Sequence, residues 1–231
     1  MKKRGTIILM RMRRKKNLQS RLDNCREYAV DIVWETLEYG KTPEKHLINY
    51  EEVFSNGNPV ELEIGCGKGQ FSVEIAKRNP DRNFLAVEIN ENVIVQAMEK
   101  AKKEGLSNLR FMRVGAEKLD LYLPENSVER IYLNFSCPFP KKRQAKHRLT
   151  HESFLEIYKK ILVSNGRIIQ KTDNMILFES SIEQLSKCGF VIENVSLDLH
   201  HSDIQDNIMT EYESKFVALG QPIYRLEAYV R

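Results

Sequence analysis

Two carboxylates and three glycines are spaced in this chain so that they could bind a nucleoside. Gly65, Gly67 and Gly69 follow a short apolar run, and Glu63 lies two residues before the first of them. Glycines allow a tight turn and let a ligand approach the backbone where a Cβ would clash. Glu88 ends the next apolar run, 21 residues after Gly67. Doubly wound folds place a ribose-binding acid at roughly this distance, so the pattern predicts a nucleoside-cofactor site.

The same residues distinguish between kinds of nucleoside ligand. Nucleoside triphosphate loops need Ser or Thr after their lysine, whereas Lys68 is followed by Gly69. Dinucleotide loops hold a pyrophosphate at a helix N-terminus, and the carboxylate of Glu63 would repel that anion. A carboxylate suits a ligand that carries an ammonium and a sulfonium. The sequence therefore favours S-adenosylmethionine as the cofactor.

Further polar residues follow later strand-like runs. Gly115, Glu117, Asn134 and Asp173 each come just after such a run. Ligands of open α/β sheets bind beyond the carboxyl ends of the strands, so we expect these residues to share one crevice. The predicted cofactor-binding residues are Glu63, Gly65, Gly67, Gly69, Glu88, Gly115 and Glu117.

The segments that must position these residues alternate between strands and helices. Apolar runs predict strands over 60–64, 83–89, 108–113, 128–134, 166–171, 189–198 and 223–230. Helical spacing predicts helices over 24–39, 70–78, 91–104, 151–162, 174–187 and 210–219. This alternation predicts an α/β fold with a mostly parallel sheet and helices on both faces.

Composition bounds the class of protein. Of the 231 residues, 42% are hydrophobic and 29% are charged, as in ordinary soluble proteins. We expect a basic flexible arm over residues 1–20 and a single domain over residues 21–231. No apolar run reaches the roughly 20 residues of a membrane span. The four cysteines lack metal-ligand spacing, so we expect reduced thiols, a cytoplasmic location, no membrane and no metal.

Positive charge is concentrated in two segments. Residues 2–21 contain nine Lys or Arg and no acid, and residues 141–148 contain five more after a proline-rich loop. Two separate basic segments favour a polyanion partner. The alternative is a solvated tail and a solvated helix face without such a partner.

A longer motif follows the fourth core strand. Residues 134–149 read NFSCPFPKKRQAKHRL. This segment resembles the bacterial tRNA (guanine-N7)-methyltransferase family, which has Asn-Phe-Pro/Ser-Asp-Pro-Trp-Pro-Lys-Lys-Arg-His here, followed by a basic run. Further matches, in the same order, are 171–174 (KTDN), 196–200 (SLDLH), 210–216 (TEYESKF) and 218–225 (ALGQPIYR).

The resemblance, which covers about residues 10–231, implies a Rossmann-like class I methyltransferase fold and S-adenosylmethionine as methyl donor. It implies tRNA as partner and N7 of a variable-loop guanosine as target. Cofactor contacts are implied for Glu63 and Glu88. Substrate-binding residues are implied at Lys141, Asp173, Thr210, Glu211, Tyr212 and Glu213, to which we add Arg143 from the basic segment.

The chain departs from the family pattern at four positions. Cys137 stands where relatives have an Asp assigned to cofactor binding and catalysis, and Gly115 where they usually have an Asp near the adenine. Phe139 replaces a Trp, and Gln144 replaces a His. Two alternatives therefore stay open: a methyltransferase with another substrate, and a catalytically weakened RNA-binding relative.

Methylation of N7 needs alignment more than activation. Guanine N7 already has a lone pair, so no general base is required, and a nucleophilic role for the Cys137 thiol is disfavoured. A carboxylate near the base would stabilise the positive charge that moves onto the purine. Our candidates for this carboxylate, and hence the predicted catalytic residues, are Asp173 and Glu213. The resemblance alone adds Cys137, because it stands at the position of the family's catalytic Asp.

Overall fold

Seven strands form one sheet in this computed structural model, which describes residues 16–32, 44–205 and 207–230. They are β1 (Val60–Ile64), β2 (Asn83–Val87), β3 (Leu109–Met112), β4 (Val128–Asn134), β5 (Leu162–Thr172), β6 (Val191–Ser196) and β7 (Tyr224–Tyr229). Their spatial order is β3-β2-β1-β4-β5-β7-β6. The first five are parallel, and β7 pairs antiparallel with β5 and β6. The predicted mostly parallel sheet is confirmed.

Helices cover both faces of the sheet, as predicted. They are α1 (Leu18–Asp23), α2 (Tyr50–Phe54), α3 (Gln70–Arg78), α4 (Glu91–Glu104), α5 (Leu119–Tyr122), α6 (Glu152–Ile161), α7 (Met175–Lys187) and α8 (Glu211–Ala218). One core cluster contains the inner faces of α3 and α4, and the other contains those of α5, α6 and α7. Among the described residues, no helix is long and apolar enough to span a membrane.

The central strand β1 shows how the chain places acids inside the fold. All five of its residues are buried, and Leu62 packs in the core on one face. Alternation turns Glu61 and Glu63 to the other face. Glu61 accepts hydrogen bonds from the Tyr132 hydroxyl at 2.6 Å and from Arg130 at 3.1 Å. These partners satisfy the buried carboxylate, so an acid is tolerated in the centre of the sheet.

The strand register brings the predicted site residues to one edge. Ile64 lies opposite Val87, and Val87 lies opposite Met112. In the other half of the sheet, Asn134 lies opposite Lys171. The residues that follow β1, β2, β3 and β5, and the last residue of β4, therefore meet at the C-terminal edge. This is where open α/β sheets bind ligands.

Most predicted elements are present, and one is wrong. The bounds predicted for β1, β4, α3 and α4 match the structure. In the described part of the predicted helix over 24–39, only a 3-10 turn forms, at Arg26–Tyr28. The backbone then pairs with β3, because Val30 N donates to Phe111 O at 2.8 Å. Residues 33–39 of that prediction lie outside the described residues.

The predicted arm over residues 1–20 is too long at its C-terminal end. Residues 1–15 lie outside the described residues. Leu18 is only 2% exposed and begins α1, which packs on α4. Arg21 donates two hydrogen bonds of 2.6 Å to Glu99 of α4. The folded part therefore includes residue 18.

Candidate active site

The glycine turn after β1 leaves open space above its backbone. Gly65, Gly67 and Gly69 have φ of 80°, 56° and 73°, which residues with a Cβ rarely adopt. A Cβ at Gly69 would collide with Ala97, so this glycine lets α3 and α4 pack closely. A Cβ at Gly65 or Gly67 would meet no atom within 4 Å. The turn thus offers a bare backbone surface to a ligand.

Glu88 joins this turn to the end of β2. Its Oε2 accepts a hydrogen bond from Gly67 N at 3.3 Å, and its Oε1 accepts one from Asn90 N at 3.0 Å. Each carboxylate oxygen can accept a second bond. Glu88 is therefore fixed beside the open turn and can still accept hydrogen bonds from two ribose hydroxyls.

Glu63 lies in the interior, beneath the turn. It is 6% exposed, and it accepts hydrogen bonds from Ser72 Oγ and, at 3.0 Å, from Asn134 Nδ2. Burial raises the pKa of this carboxyl, while the two hydrogen bonds and the charge of Lys171 oppose the rise. Both oxygens have protein partners that tie α3 to the end of β4. A direct cofactor contact of Glu63 stays a prediction.

Asn134, the last residue of β4, has an unsatisfied hydrogen-bond acceptor. Its Oδ1 is buried and accepts no hydrogen bond from the described part of the chain. A buried polar atom without a partner costs about 1–3 kcal/mol. A ligand with an N–H donor would remove this cost, and an ammonium group is such a donor.

The end of β3 carries a carboxylate at an unexpected position. A Cβ placed on Gly115 would collide with both carboxylate oxygens of Glu117. Glu117 lies in the 3-10 helix Ala116–Lys118. Its carboxylate therefore occupies the space that a side chain at position 115 would fill. Thus a carboxylate lies beside Gly115 although residue 115 itself carries none.

These groups fit S-adenosylmethionine. β2 lies between β1 and β3, and β4 lies on the other side of β1. Glu117 would hold the base, Glu88 the ribose, and Asn134 the ammonium of the amino-acid part, and the glycine turn would approach the ligand with its bare backbone. All three offer acceptors to the N–H and O–H donors of such a ligand.

The loop after β4 has an unusual and firmly held backbone. Phe135 and Phe139 have φ of 51° and 42°, which bulky residues seldom adopt. Phe135 N donates to Lys171 O at 2.8 Å. Arg148, 8% exposed, donates to Pro138 O at 2.9 Å and to Phe139 O at 3.2 Å. These bonds hold a strained loop, which points to a functional site.

This loop brings three predicted site residues together. Cys137 is exposed, Asp173 is half-buried and Tyr212 is 47% exposed. Burial raises the pKa of the Tyr212 hydroxyl, and the nearby Asp173 and Cys137 add to the rise. The ring of Tyr212 lies 5.1 Å from that of Phe135. No described residue forms a hydrogen bond or ion pair with the Asp173 carboxylate, which leaves it available to a ligand.

Glu213 does not face the crevice, so the structure corrects its predicted direct contact with a base. It is 0% exposed, and its carboxylate accepts four hydrogen bonds. The donors are Lys171 Nζ (2.9 Å), His200 Nε2 (3.0 Å), Asn207 Nδ2 (2.6 Å) and Thr210 N (3.3 Å). Thr210 Oγ1 in turn accepts from Glu213 N at 3.0 Å, which completes a capping box. Glu213 therefore fixes the start of α8.

The remaining predicted substrate residues surround this crevice. Lys141 and Arg143 are exposed at the 3-10 helix Lys142–His147 that follows the loop. Glu211 begins α8, and its N donates to the side chain of Gln70 at the start of α3. Arg148, counted in the basic segment from sequence, is a buried loop support instead. In the described part of the chain, no group of three or more potential metal ligands occurs.

Comparisons with known proteins find methyltransferases. The model of a family described as "Putative methyltransferase" matches residues 57–226. A tRNA (guanine-N(7)-)-methyltransferase from Geobacillus sp. (strain WCH70) is 49% identical over 185 residues, which cover 80% of this chain and 84% of that protein. One from Bacillus cytotoxicus is 43% identical over 210 residues, which cover 91% and 94%.

Solved structures with low sequence identity share the fold. The 16S rRNA methyltransferase KamB has a TM-score of 0.59 at 14% identity, covering 78% of this chain and 92% of that one. A SAM-dependent methyltransferase from Aquifex aeolicus has a TM-score of 0.53 at 17% identity, covering 79% and 88%. At these identities the likeness concerns the class I methyltransferase architecture.

Proposed function

The chain belongs to the tRNA (guanine-N(7)-)-methyltransferase family, and from that premise we propose that it methylates N7 of a guanosine in the variable loop of tRNA. S-adenosylmethionine is the methyl donor. One observation carries the proposal to this site: the unpaired Asp173 and the exposed Tyr212 lie at the same sheet edge as the open glycine turn. The proposed compartment is the cytoplasm, which the four free thiols favour.

Alignment is the main task of the protein in this reaction. S-adenosylmethionine supplies an electrophilic methyl group on a sulfonium. Guanine N7 is already nucleophilic, so the residues need only hold it in line, which can contribute roughly 7–11 kcal/mol. Glu88 and the glycine turn would hold the donor, and the fixed loop over residues 135–140 would limit where the base can lie. No residue has to remove a proton from N7.

Asp173 is the group suited to recognise and stabilise the base. Its carboxylate can accept hydrogen bonds from guanine N1–H and the exocyclic amine, which adenine does not present in this arrangement. As methyl transfer proceeds, the purine gains positive charge, and a half-buried carboxylate that accepts hydrogen bonds from the base would stabilise that charge. Asp173 therefore contributes to both base choice and rate.

The exposed cations after the loop suit the tRNA backbone. Lys141, Lys142, Arg143 and Lys146 are all exposed within one short segment. Such cations bind phosphates without reading sequence, and they fix the orientation of a nucleic acid. They would bring the variable loop to the crevice, where Asp173 selects the base.

The proposal is tested with an unmodified tRNA transcript and labelled S-adenosylmethionine, followed by mass spectrometry of the nucleosides. N7-methylguanosine is expected, and it should disappear when the variable-loop guanosine is changed to adenosine. Label in another nucleoside would identify a different substrate atom. Label that persists in the changed transcript would place the target outside the variable loop.

A binding protein without turnover is the second candidate, because the family pattern that residues 134–149 resemble has an Asp at the position of Cys137. In the same assay such a protein would bind the transcript and leave it unmethylated. We favour the enzyme, because methylation of N7 depends on alignment and does not require a carboxylate at position 137.

A further inference from the structure

Lys171 is a buried ammonium that the proposed reaction does not use directly. Its side chain is 4% exposed. Nζ donates to Asn207 Oδ1, to Ile208 O and to Glu213 Oε2, each at 2.9 Å. An ammonium has three protons, and all three are directed to residues 207–213. This one side chain therefore fastens a whole segment to the end of β5.

Stability alone does not explain this arrangement. Burial lowers the pKa of Lys171, and the charge and hydrogen bond of Glu213 oppose the fall. The ion pair is almost fully removed from water, since the two side chains are 4% and 0% exposed. Apolar residues of similar size often stabilise a folded protein as well as a buried ion pair does, or better. A buried ion pair can instead select one packing of the segments that it joins.

The fastened segment carries the residues that face the crevice. Thr210 caps α8, and Tyr212 follows in its first turn. Lys171 Nζ also lies 5.8 Å from the ring centroid of Phe135, the ring that packs against Tyr212. Lys171 thus contacts both the segment that carries Tyr212 and the ring beside it.

The same ammonium reaches the cofactor side. Nζ lies 5.7 Å from the ring centroid of Phe71 in α3, and the backbone of Lys171 is followed two residues later by Asp173. Lys171 therefore lies between the helix that follows the glycine turn and the segment that flanks the substrate. A shift of its side chain would change the distance between the two halves of the site.

We propose that Lys171 is a positioning residue for methyl transfer. It holds residues 207–213 against the end of β5, so that Tyr212 and Asp173 face the same part of the crevice. The proposal rests on the proposed function, and it assigns Glu213 to the same task. Loss of the tether should reduce kcat for tRNA methylation, because alignment is lost. It should change the affinity for tRNA little, because exposed cations supply most of that affinity.

The test compares three variants with the wild type. Lys171→Met leaves the buried Glu213 carboxylate without its lysine cation and should lower Tm by roughly 6–20 °C. Lys171→Met/Glu213→Gln removes both charges and should regain at least half of that loss. Arg130→Met is the control: Arg130 pairs with the buried Glu61 at 3.1 Å, away from the C-terminal edge. It should lower Tm without lowering kcat.

The decisive readouts are kcat and amide exchange, both measured below the lowest Tm. The double variant should keep kcat at least tenfold below wild type, with the Kd for tRNA within about threefold, despite its recovered Tm. Its amides in 207–213 should exchange faster than those of the wild type. A double variant that regains kcat along with Tm would make Lys171 a purely structural residue and overturn the proposal. So would unchanged exchange in 207–213.

The two proposals fail separately in this experiment. If the wild type methylates another nucleoside, or another atom of guanosine, the proposed function is wrong. The ratio of kcat between the double variant and the wild type is then measured on the actual product, and it still tests the role of Lys171. If the wild type transfers no methyl group to any nucleic acid, both proposals fall.

Discussion

Acidic residues around the crevice differ mainly in whether the carboxylate is buried or still open to a ligand. Glu63 and Glu213 are buried, and both oxygens of each carboxylate accept hydrogen bonds inside the protein. Glu88 and Asp173 are only half-buried, and they keep acceptor capacity toward the crevice. Acids of the first kind hold the frame, and those of the second kind are free to bind ligands.

Glu88→Gln should weaken binding of S-adenosylhomocysteine by about 1.5–3 kcal/mol, roughly ten- to hundredfold, because hydrogen bonds to a charged acceptor are lost. Calorimetry measures this directly, without turnover. Glu125→Gln is a matched control, since Glu125 is an exposed acid paired with Lys45 at 3.1 Å. Equal affinity of wild type and Glu88→Gln would remove Glu88 from the cofactor site.

Glu117→Ala should lower the affinity for S-adenosylhomocysteine several-fold, because the carboxylate beside Gly115 would be lost. Adding Gly115→Asp to that variant should restore much of the affinity, because a carboxylate returns to nearly the same place. In the wild-type background Gly115→Asp should raise the affinity little, since the Glu117 carboxylate already lies there and a second negative charge would repel it. Restoration that fails in the double variant would show that the two positions do not share a role.

Cys137→Ser should keep substantial methylation activity. The hydroxyl preserves size and polarity, and N7 attack needs no nucleophile from the protein. The assay is kcat/KM with an unmodified tRNA transcript. If the serine variant binds cofactor and tRNA but does not turn over, the thiol has a chemical role that this mechanism lacks.

Elements of structure were predictable where local signals agree. The bounds of α4 follow from Asn90, whose side chain caps its start, and Gly105, which ends it in the left-handed region. The bounds of β1 and β4 follow from apolar runs between turn signals. Their register then places the glycine turn, Glu88 and Asp173 at one edge. This much of the site is determined by elements that the sequence reveals.

Contacts between distant segments were not predictable. Nothing in the residues around Lys171 or Arg148 distinguishes a buried cation from an exposed one, and both lie in stretches rich in polar groups. The partners of Lys171 lie 36 to 42 residues away along the chain. Helical spacing over 24–39 failed for a similar reason, since pairing with β3 outweighs local preference at Val30.

The salt dependence of tRNA binding should distinguish the exposed cations Lys141 and Arg143 from the buried Arg148. Lys141→Ala/Arg143→Ala should weaken tRNA binding and flatten its dependence on log salt by roughly one unit per lost phosphate contact. Arg148→Gln should lower kcat by loosening the loop over residues 135–140, and it should leave the slope against log salt unchanged. Both are measured by titrations at several salt concentrations together with turnover assays. An Arg148→Gln slope as flat as that of the double variant would place Arg148 on the RNA.

The whole molecule brings two binding regions to one sheet edge. The half formed by β1, β2 and β3 carries the glycine turn and the acids for the donor, and the half formed by β4, β5 and α8 carries the groups for the base. Exposed cations after β4 extend the second half toward a polyanion. The central claim is that this edge aligns guanine N7 with a sulfonium methyl group.

The most direct test of that claim is single-turnover methylation of two tRNAs that differ at one atom. One carries guanosine at the variable-loop target, and the other carries 7-deazaguanosine, in which a C–H replaces N7. Both should bind with the same Kd, because binding requires no hydrogen bond from the protein to N7. Only the first should be methylated, and its product should be N7-methylguanosine. Equal methyl transfer to both tRNAs would contradict the account, since the accepting atom would then be elsewhere.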